Sequence, residues 1–241
     1  MKRFWLPGAI FFALVVNLGA QTVDEILVKY YDALGGLDKL KSVNTIIQEG
    51  VFATPMGNAE LQVSIKKKRP NKWISEMSFQ GQKIVQAYDG NVAWMQNPMM
   101  GMIKPTALTG DQAKQVIQQA QFDGELVNYK ENGVALEFVG MAEFEGMNSY
   151  KLQATRPDSQ QVLFYIDKDT NLLMGTEVPV KTPEQQMTIT VKLGDYEEID
   201  GLFYPHSLEV LGAQKMSFVF DNIELNSDIP DELFIMPAEE K

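Results

Sequence analysis

From Asn44 onward, apolar and polar residues alternate along most of the chain, and this period of two constrains the fold more than any other feature. The alternation is cleanest in residues 187–193, where Met, Ile, Val and Leu alternate with Thr and Lys. It is typical of β-strands that bury one face. Short turn sequences separate the segments, among them Gln80-Gly81, Asp89-Gly90, Glu145-Gly146 and Asp200-Gly201. Because strands joined by such short turns are antiparallel neighbours, the pattern predicts one large antiparallel sheet.

We count about eleven strands, which is the range in which a strongly twisted sheet curls toward a barrel or splits into a sandwich. The alternation changes phase near Asp221: Met216, Phe218 and Phe220 lie in one phase, and Ile223 and Leu225 in the other. A β-bulge inserts one extra residue into a strand and would cause this change. The sequence therefore predicts a bulge at Asp221.

Two segments are predicted to be helical. The first follows a capping box, Thr22 to Glu25, and ends at Gly35-Gly36 after apolar residues at helical spacing. The second covers residues 109–121 and has high helix propensity but only a thin apolar stripe, which includes Val116 and Ile117. Since a thin stripe buries little surface, this helix is predicted to be a lid that can lift.

Both ends of the chain carry further signals. Residues 1–20 are predicted to be a secretory signal, with Lys2 and Arg3 before an apolar run and small residues before Gln21. We therefore expect an exported protein with a single domain in residues 21–241. Residues 228–241 are predicted to close the fold as a strap, with Leu233 and Phe234 docked.

Charge and composition exclude several classes of function. The net charge of -11 at pH 7 disfavours binding to nucleic acid and to anionic lipid headgroups. The chain has no cysteine and one histidine, His206, which argues against a thiolate or histidine metal site and against a cysteine nucleophile. The adjacent carboxylates Glu197 and Glu198 would point to opposite faces of a strand. We predict no catalytic residue, metal or cofactor.

The stretch around Trp73 and Trp94 contains the candidate ligand-binding residues. After Trp94 come four methionines, Met95, Met99, Met100 and Met102, which lie between two turn signals and are predicted to form a loop. Because methionine is unbranched and polarizable, it lines adaptable apolar grooves. The two tryptophans, the four methionines and the lid residues are therefore candidates to contact an apolar ligand.

A motif in the same stretch resembles that of a known family. Lys68-Arg69-Pro70-Asn71 is followed by Trp73, Asp89-Gly90-Asn91, Trp94 and Asn97-Pro98. The order and approximate spacing resemble the central motif of the periplasmic lipoprotein carrier LolA and its relatives. The segments 33–40 and 195–205 are similar to a broader set of LolA-like envelope proteins. The matches span most of the chain after residue 20, although Met99-Met100-Gly101-Met102 departs from the motif.

The resemblance implies an α+β fold that is mostly antiparallel β. In such a LolA/LolB-like fold, about eleven strands form an incomplete barrel, covered by the N-terminal helix and the lid helix. It also implies a periplasmic monomer that carries lipoprotein acyl chains, or another lipid, from an inner-membrane donor complex to an outer-membrane acceptor.

In the family the arginine of the motif, Arg69 here, interacts with the lid and is needed to pass cargo on. Two alternatives stay open: an envelope sensor of lipid or lipoprotein with the same fold, and a hydrolase with an unrecognised carboxylate site.

Overall fold

A computed structural model describes residues 22–53, 60–181 and 186–238. The predicted secretory signal lies outside the described residues. None of the helices in the described ranges is long and apolar enough to cross a membrane.

The described residues form three α-helices, two short 3₁₀ turns and thirteen β-strands. The helices are α1 (Val23–Ala33), α2 (Leu37–Ser42) and α3 (Gly110–Gln119), and the 3₁₀ turns are Pro98–Met100 and Asp231–Phe234. The first six strands are β1 (Thr45–Ala53), β2 (Leu61–Lys68), β3 (Lys72–Phe79), β4 (Gln82–Tyr88), β5 (Ala93–Asn97) and β6 (Met102–Ala107). The other seven are β7 (Ala135–Phe144), β8 (Met147–Thr155), β9 (Gln161–Asp167), β10 (Leu173–Lys181), β11 (Gln186–Ile199), β12 (Leu202–Leu211) and β13 (Lys215–Leu225).

All thirteen strands belong to one antiparallel sheet, as the alternation predicts. Their spatial order is β6-β5-β4-β3-β2-β1-β13-β12-β11-β10-β9-β8-β7. The chain thus starts in the middle of the sheet, proceeds to one edge at β6, crosses to the opposite edge at β7 and returns to pair β13 with β1. The two edges do not pair with each other, so the sheet stays open. The connection between them, residues 108–134, must cross the sheet, and it contains helix α3.

The predicted helix boundaries at the N-terminus are confirmed. The Thr22 hydroxyl accepts a hydrogen bond from the Glu25 amide, and the Glu25 carboxylate accepts one from the Thr22 amide at 2.9 Å. Gly35 and Gly36 both have positive φ, and a Cβ on Gly35 would lie 2.3 Å from the Gly201 carbonyl oxygen. Because only glycine fits there, α1 ends at this point and α2 can begin immediately.

Helices α1 and α3 lie on the same face of the sheet, which we call the inner face. Helix α1 packs Ile26 and Tyr30 against β8 and β9, in a cluster that includes Leu152 and Ile166. Helix α3 packs Val116 near the other edge, in a cluster with Trp73. The register of the antiparallel pairs places Trp73 and Leu152 on the same side of the sheet, because directly paired residues share a face.

The opposite, outer face carries the C-terminal strap, residues 228–238. Phe234 and Ile229 are buried there against Ile74 and Trp94. The indole nitrogen of Trp94 donates a 2.8 Å hydrogen bond to the Phe234 carbonyl. Docking of Phe234 is confirmed, but the prediction for Leu233 was wrong, since 46% of its surface is exposed.

The predicted bulge is also confirmed. Glu49 pairs with Asn222 and the next residue, Gly50, pairs with Phe220, so Asp221 is the extra residue in β13. The bulge returns Phe220 and Ile223 to the same face, and both are buried in one cluster with residues of β1 and β2. This packing explains the phase change in the sequence.

We expect Gly50→Ala to lower the free energy of unfolding by about 1 to 3 kcal/mol, the usual cost of inserting atoms into a filled site. A Cβ at Gly50 would lie 1.9 Å from the Val219 carbonyl oxygen, which belongs to the paired backbone of β13 and cannot rotate away. Urea unfolding would measure the loss. Gly124→Ala is the control, because a Cβ there meets no atom within 4 Å. Equal stability of the two variants would contradict the close approach.

The strand count differs from the prediction of about eleven. The stretch predicted as a methionine loop, Met95 to Met102, contains the end of β5, a 3₁₀ turn and the first residue of β6. Strand β6 has a proline, Pro105, and mostly exposed side chains, which weaken its alternation. Both features are tolerated because β6 is an edge strand, where a missing backbone donor faces away from the ladder.

Candidate functional site

A cavity of about 530 Å³ lies on the inner face, beside the end of helix α3. This volume falls within the range of about 300 to 1,000 Å³ that is typical of small-molecule sites. The lining residues come from β1, β2, β3, α3, β11, β12 and β13: Gln48, Ile65, Lys67, Trp73, Gln119, Val191, Pro205, Leu208, Val210, Met216, Phe218 and Phe220. Most of them are apolar, so the site suits an apolar ligand.

The cavity exists because the sheet curls. Trp73 on β3 and Val191 on β11 both line it, although four strands lie between theirs in the sheet. In a flat sheet, five inter-strand spacings of about 4.8 Å would separate them by about 24 Å. Strong curvature is the expected behaviour of a twisted sheet with this many strands. The inner face therefore encloses space that the flat alternation pattern does not reveal.

A smaller cavity of about 180 Å³ lies under α1 and adjoins the first through a shared residue, Pro205. Its lining includes Tyr30 and Tyr204. Burial raises the pKa of Tyr204 to about 12 and raises that of Tyr30 still further. Both phenols therefore remain neutral at physiological pH, and the interior stays free of tyrosinate charge.

Arg69 ties the edge-to-edge connection to the sheet. Its guanidinium donates two hydrogen bonds to the Asp123 carboxylate, at 2.6 and 2.7 Å, and Nε donates a third to the Val43 carbonyl at 2.6 Å. The guanidinium also lies 4.3 Å from the centre of the Phe122 ring. Asn128 donates to the same carboxylate at 2.7 Å. Asp123 lies just beyond helix α3, so Arg69 holds the segment that carries the helix.

A second arginine holds the same connection from the other half of the sheet. Arg156, directly after β8, donates to Glu125 through Nε at 2.7 Å and through a terminal nitrogen at 2.9 Å. The Glu125 contact raises the pKa of Arg156 further. Planar two-point pairing of this kind fixes geometry as well as charge. Residues 123–125 are thus attached to both halves of the open sheet.

Only part of the predicted ligand-binding set lies at the cavity. Trp73 lines it, and Val116 is buried behind Trp73. Met95 is buried in β5 on the inner face. It pairs with Gln86 on β4, and Gln86 pairs with Ser75 on β3. Ser75 is two residues from Trp73 and therefore shares its face. Met95 is a strand residue and not part of a loop.

The other candidates lie elsewhere. Trp94 was predicted to line the cavity, but it faces the outer side under the strap, because adjacent strand residues point to opposite faces. Met99 and Met100 are 58% and 68% exposed in the 3₁₀ turn between β5 and β6, and Met102 is half-buried at the start of β6. Ile117 is 41% exposed on α3. The described structure does not bring the four methionines together at the cavity.

Sequence reasoning missed two groups of residues that build the site. The far wall of the cavity is formed by Leu208, Val210, Met216 and Phe218, none of which is among the predicted ligand-binding residues. Asp123, the partner of Arg69, lies in a segment without a regular pattern. The acidic pair Asp123 and Glu125 beside Phe122 was the available signal, but only the fold identifies the arginines that they meet.

The one histidine of the chain, His206, lies in β12. No group of three His, Cys, Asp or Glu side chains within the described ranges could hold a metal ion. His206 places Nδ1 2.7 Å from the Phe220 carbonyl oxygen, to which it must donate. Its other ring nitrogen is buried without a partner in the described part of the chain, and the Glu197 carboxylate lies 4.0 Å away. These contacts make His206 a link between β12 and β13.

Comparison with solved structures identifies the architecture. A LolA superfamily protein from Nitrosomonas europaea superposes with a TM-score of 0.59 at 17% identity, over 90% of this chain and 98% of that one. The chain has the LolA fold. A DUF1329 family protein from Desulfovibrio piger gives 0.59 at 16% identity, over 86% and 97% of the two chains. A structure described as an outer membrane lipoprotein-sorting protein domain, from Vibrio parahaemolyticus, gives 0.60 at 9% identity, over 88% and 95%.

Sequence comparison adds no closer relation. No protein-family model matches the chain, and no curated protein matches it by sequence. The fold is therefore shown by the solved structures alone, at sequence identities of 9 to 17%. Arg69 lies directly after β2, at the point where the sheet meets the connection that carries α3.

Proposed function

We propose that this protein is a periplasmic, non-catalytic carrier that binds lipoprotein acyl chains, or a similar amphiphile, and delivers them toward the outer membrane. The observation that carries the proposal is the apolar cavity of about 530 Å³ on the inner face. Burial of an acyl chain there is favourable by about 0.8 kcal/mol for each methylene removed from water. The LolA-like fold supports the same conclusion.

Loading requires space to open, and the edge-to-edge connection is the part that can move. Helix α3 buries only one apolar residue deeply, Val116, together with Ala120 at its C-terminal cap. Few buried contacts make local displacement inexpensive. We propose that α3 is a lid over the cavity and that the Arg69–Asp123 pair latches it. A donor complex at the inner membrane and an acceptor at the outer membrane would supply and receive the cargo.

Native mass spectrometry of the protein purified from an envelope fraction tests this function. We expect an additional mass from a co-purified lipid or acylated peptide. Val210→Trp places an indole inside the cavity and should abolish this mass. Val219→Trp is the matched control, because Val219 is 46% exposed and its neighbours Phe218 and Phe220 are the ones that face the cavity.

Two outcomes would contradict the proposal. A wild-type protein without any bound amphiphile would leave the cavity without a role in transport. Equal loading of Val210→Trp and wild type would mean that the ligand binds elsewhere. Transfer of the co-purified lipid from the loaded protein to acceptor vesicles then separates a carrier from a sensor, which would retain its ligand.

A further inference from the structure

Lys67 is the one charged residue among the described residues that line the apolar cavity. The register of β2 explains how it comes to be there. Lys67 pairs with Ile46 on β1 and with Trp73 on β3, and both neighbours belong to the inner-face clusters. The lysine side chain therefore projects from the same face as the apolar wall.

The two neighbouring lysines are satisfied on the outer face. Lys66 lies 3.0 Å from the Ser64 hydroxyl and 3.7 Å from the Glu76 carboxylate. Lys68 donates to the Ile229 carbonyl at 2.7 Å and lies 2.8 Å from the Asp231 carboxylate. By contrast, Lys67 makes no hydrogen bond or ion pair with any residue in the described ranges. Its ammonium group thus has no contacting counter-charge in the apolar cavity.

Lys67 is half-buried, and its ammonium keeps some contact with solvent in the empty cavity. A ligand that fills the cavity would remove this solvent, and an ammonium left there without a partner would be costly. The other polar groups of the described lining are two neutral amides, Gln48 and Gln119. The carboxylate whose charge acts on Lys67 is that of Asp123, which already accepts two hydrogen bonds from Arg69. The group that can supply a partner when the cavity is filled is therefore the ligand itself. On the basis of the proposed carrier function, we infer that the cavity takes an acyl amphiphile with an anionic head group, a carboxylate or a phosphate, which pairs with Lys67.

The protonation of Lys67 supports this inference. Burial lowers the pKa of Lys67 to about 8, although the Asp123 charge acts to raise it. The amine is therefore still mostly protonated at neutral pH and loses its charge as pH rises through about 8 in the empty protein. A ligand carboxylate stays ionised over this whole range, since carboxyl groups ionise near pH 4. Preference for an anionic ligand should consequently decline at alkaline pH.

Three probes with the same chain test the head-group preference: dodecanoate, dodecanamide and dodecyltrimethylammonium, titrated calorimetrically into the purified protein. We expect dodecanoate to bind about tenfold to hundredfold more tightly than dodecanamide, as a charge-assisted hydrogen bond would give. The net charge of -11 would by itself favour the cation, so a preference for the anion must have a local cause.

Substitutions assign that cause. Lys67→Met should reduce the ratio of dodecanoate affinity to dodecanamide affinity to about one. Lys66→Met is the matched control, because it makes the same charge change on the outer face. Lys67→Arg should keep the preference and lose its decline above pH 8, since arginine remains protonated.

The outcomes separate this inference from the function on which it rests. Two results would overturn the role of Lys67: equal binding of dodecanoate and dodecanamide to wild type, or equal effects of Lys67→Met and Lys66→Met. Either result would indicate that the protein binds acyl chains without recognising a charged head group. Binding of none of the three probes would overturn the acyl-binding function itself.

Discussion

Arg69→Leu is expected to lower the free energy of unfolding by about 3 kcal/mol, the lower end of the usual cost of removing one partner from a buried ion pair. The side chains of Arg69 and Asp123 are 24% and 12% exposed, so the carboxylate left behind is largely desolvated. Only Asn128 would still donate to it. Urea unfolding measures the loss.

A double variant separates the ion pair from simple packing. Arg69→Leu combined with Asp123→Leu should be more stable than Arg69→Leu alone, because no unpaired charge remains buried. A double variant that loses the sum of the two single losses would show that the two side chains act independently. That result would contradict the latch.

Arg69→Leu should also slow cargo release. The Arg69–Asp123 pair stabilises the connection in the arrangement seen here, in which α3 lies against β4 and β5. Without the pair, a displaced arrangement that accommodates cargo becomes relatively more populated, so cargo is held longer. Transfer of a fluorescent acyl probe to vesicles measures the rate.

Arg156→Leu is the stability-matched control for release. The Arg156–Glu125 pair has the same side-chain exposures, 24% and 12%, and attaches the same connection to the other half of the sheet. If both variants slow release equally, a loosened connection in general would explain the effect, and Arg69 would have no particular role. Unchanged release in Arg69→Leu would rule out the latch.

Phe234→Ala is expected to lower the free energy of unfolding by about 3 to 5 kcal/mol, the usual cost of truncating a buried phenylalanine. The side chain of Phe234 is fully buried and packs with Ile74, Trp94 and Ile229. Its loss would leave a void between the strap and the outer face, and would loosen the hydrogen bond from the Trp94 indole. Urea unfolding and the fluorescence of Trp94 would report both effects.

The adjacent residue provides the control. Leu233→Ala removes a side chain that is 46% exposed, so its expected cost is below about 1 kcal/mol. Similar losses for the two variants would contradict the docking of the strap through Phe234.

Local pattern was sufficient for the features that depend on a few neighbouring residues. The capping box at Thr22 and Glu25, helix α3 and the bulge at Asp221 all follow from short-range chemistry or from a change of phase. Strand β6 begins at Met102, which was predicted to lie in a loop, and an edge strand needs neither an alternating face nor every backbone donor. The total of thirteen strands therefore exceeds the predicted number.

The residues that line the cavity were predicted less well. The motif directed attention to Arg69 and Trp73, and both lie where a ligand or lid could engage them. The same motif also led to Trp94, which supports the strap on the other side of the sheet. The methionines were chosen for their chemistry and for their predicted position in a loop, and Met99 and Met100 are exposed at the sheet edge.

The sequence by itself determined that the chain forms antiparallel strands joined by tight turns, with a capped helix at one end and a second helix in the long connection. An alternation with a period of two indicates that neighbouring side chains point to opposite faces. It does not indicate which face becomes the interior. The tertiary structure decided that, by curling the sheet until β3 and β11 line one cavity and by crossing it with a single connection. The same curvature placed Lys67 on the inner face, between two lysines that lie on the outer face. The crossing connection brought Asp123 to Arg69. Contacts between distant parts of the chain depend on curvature and topology, which no local pattern encodes.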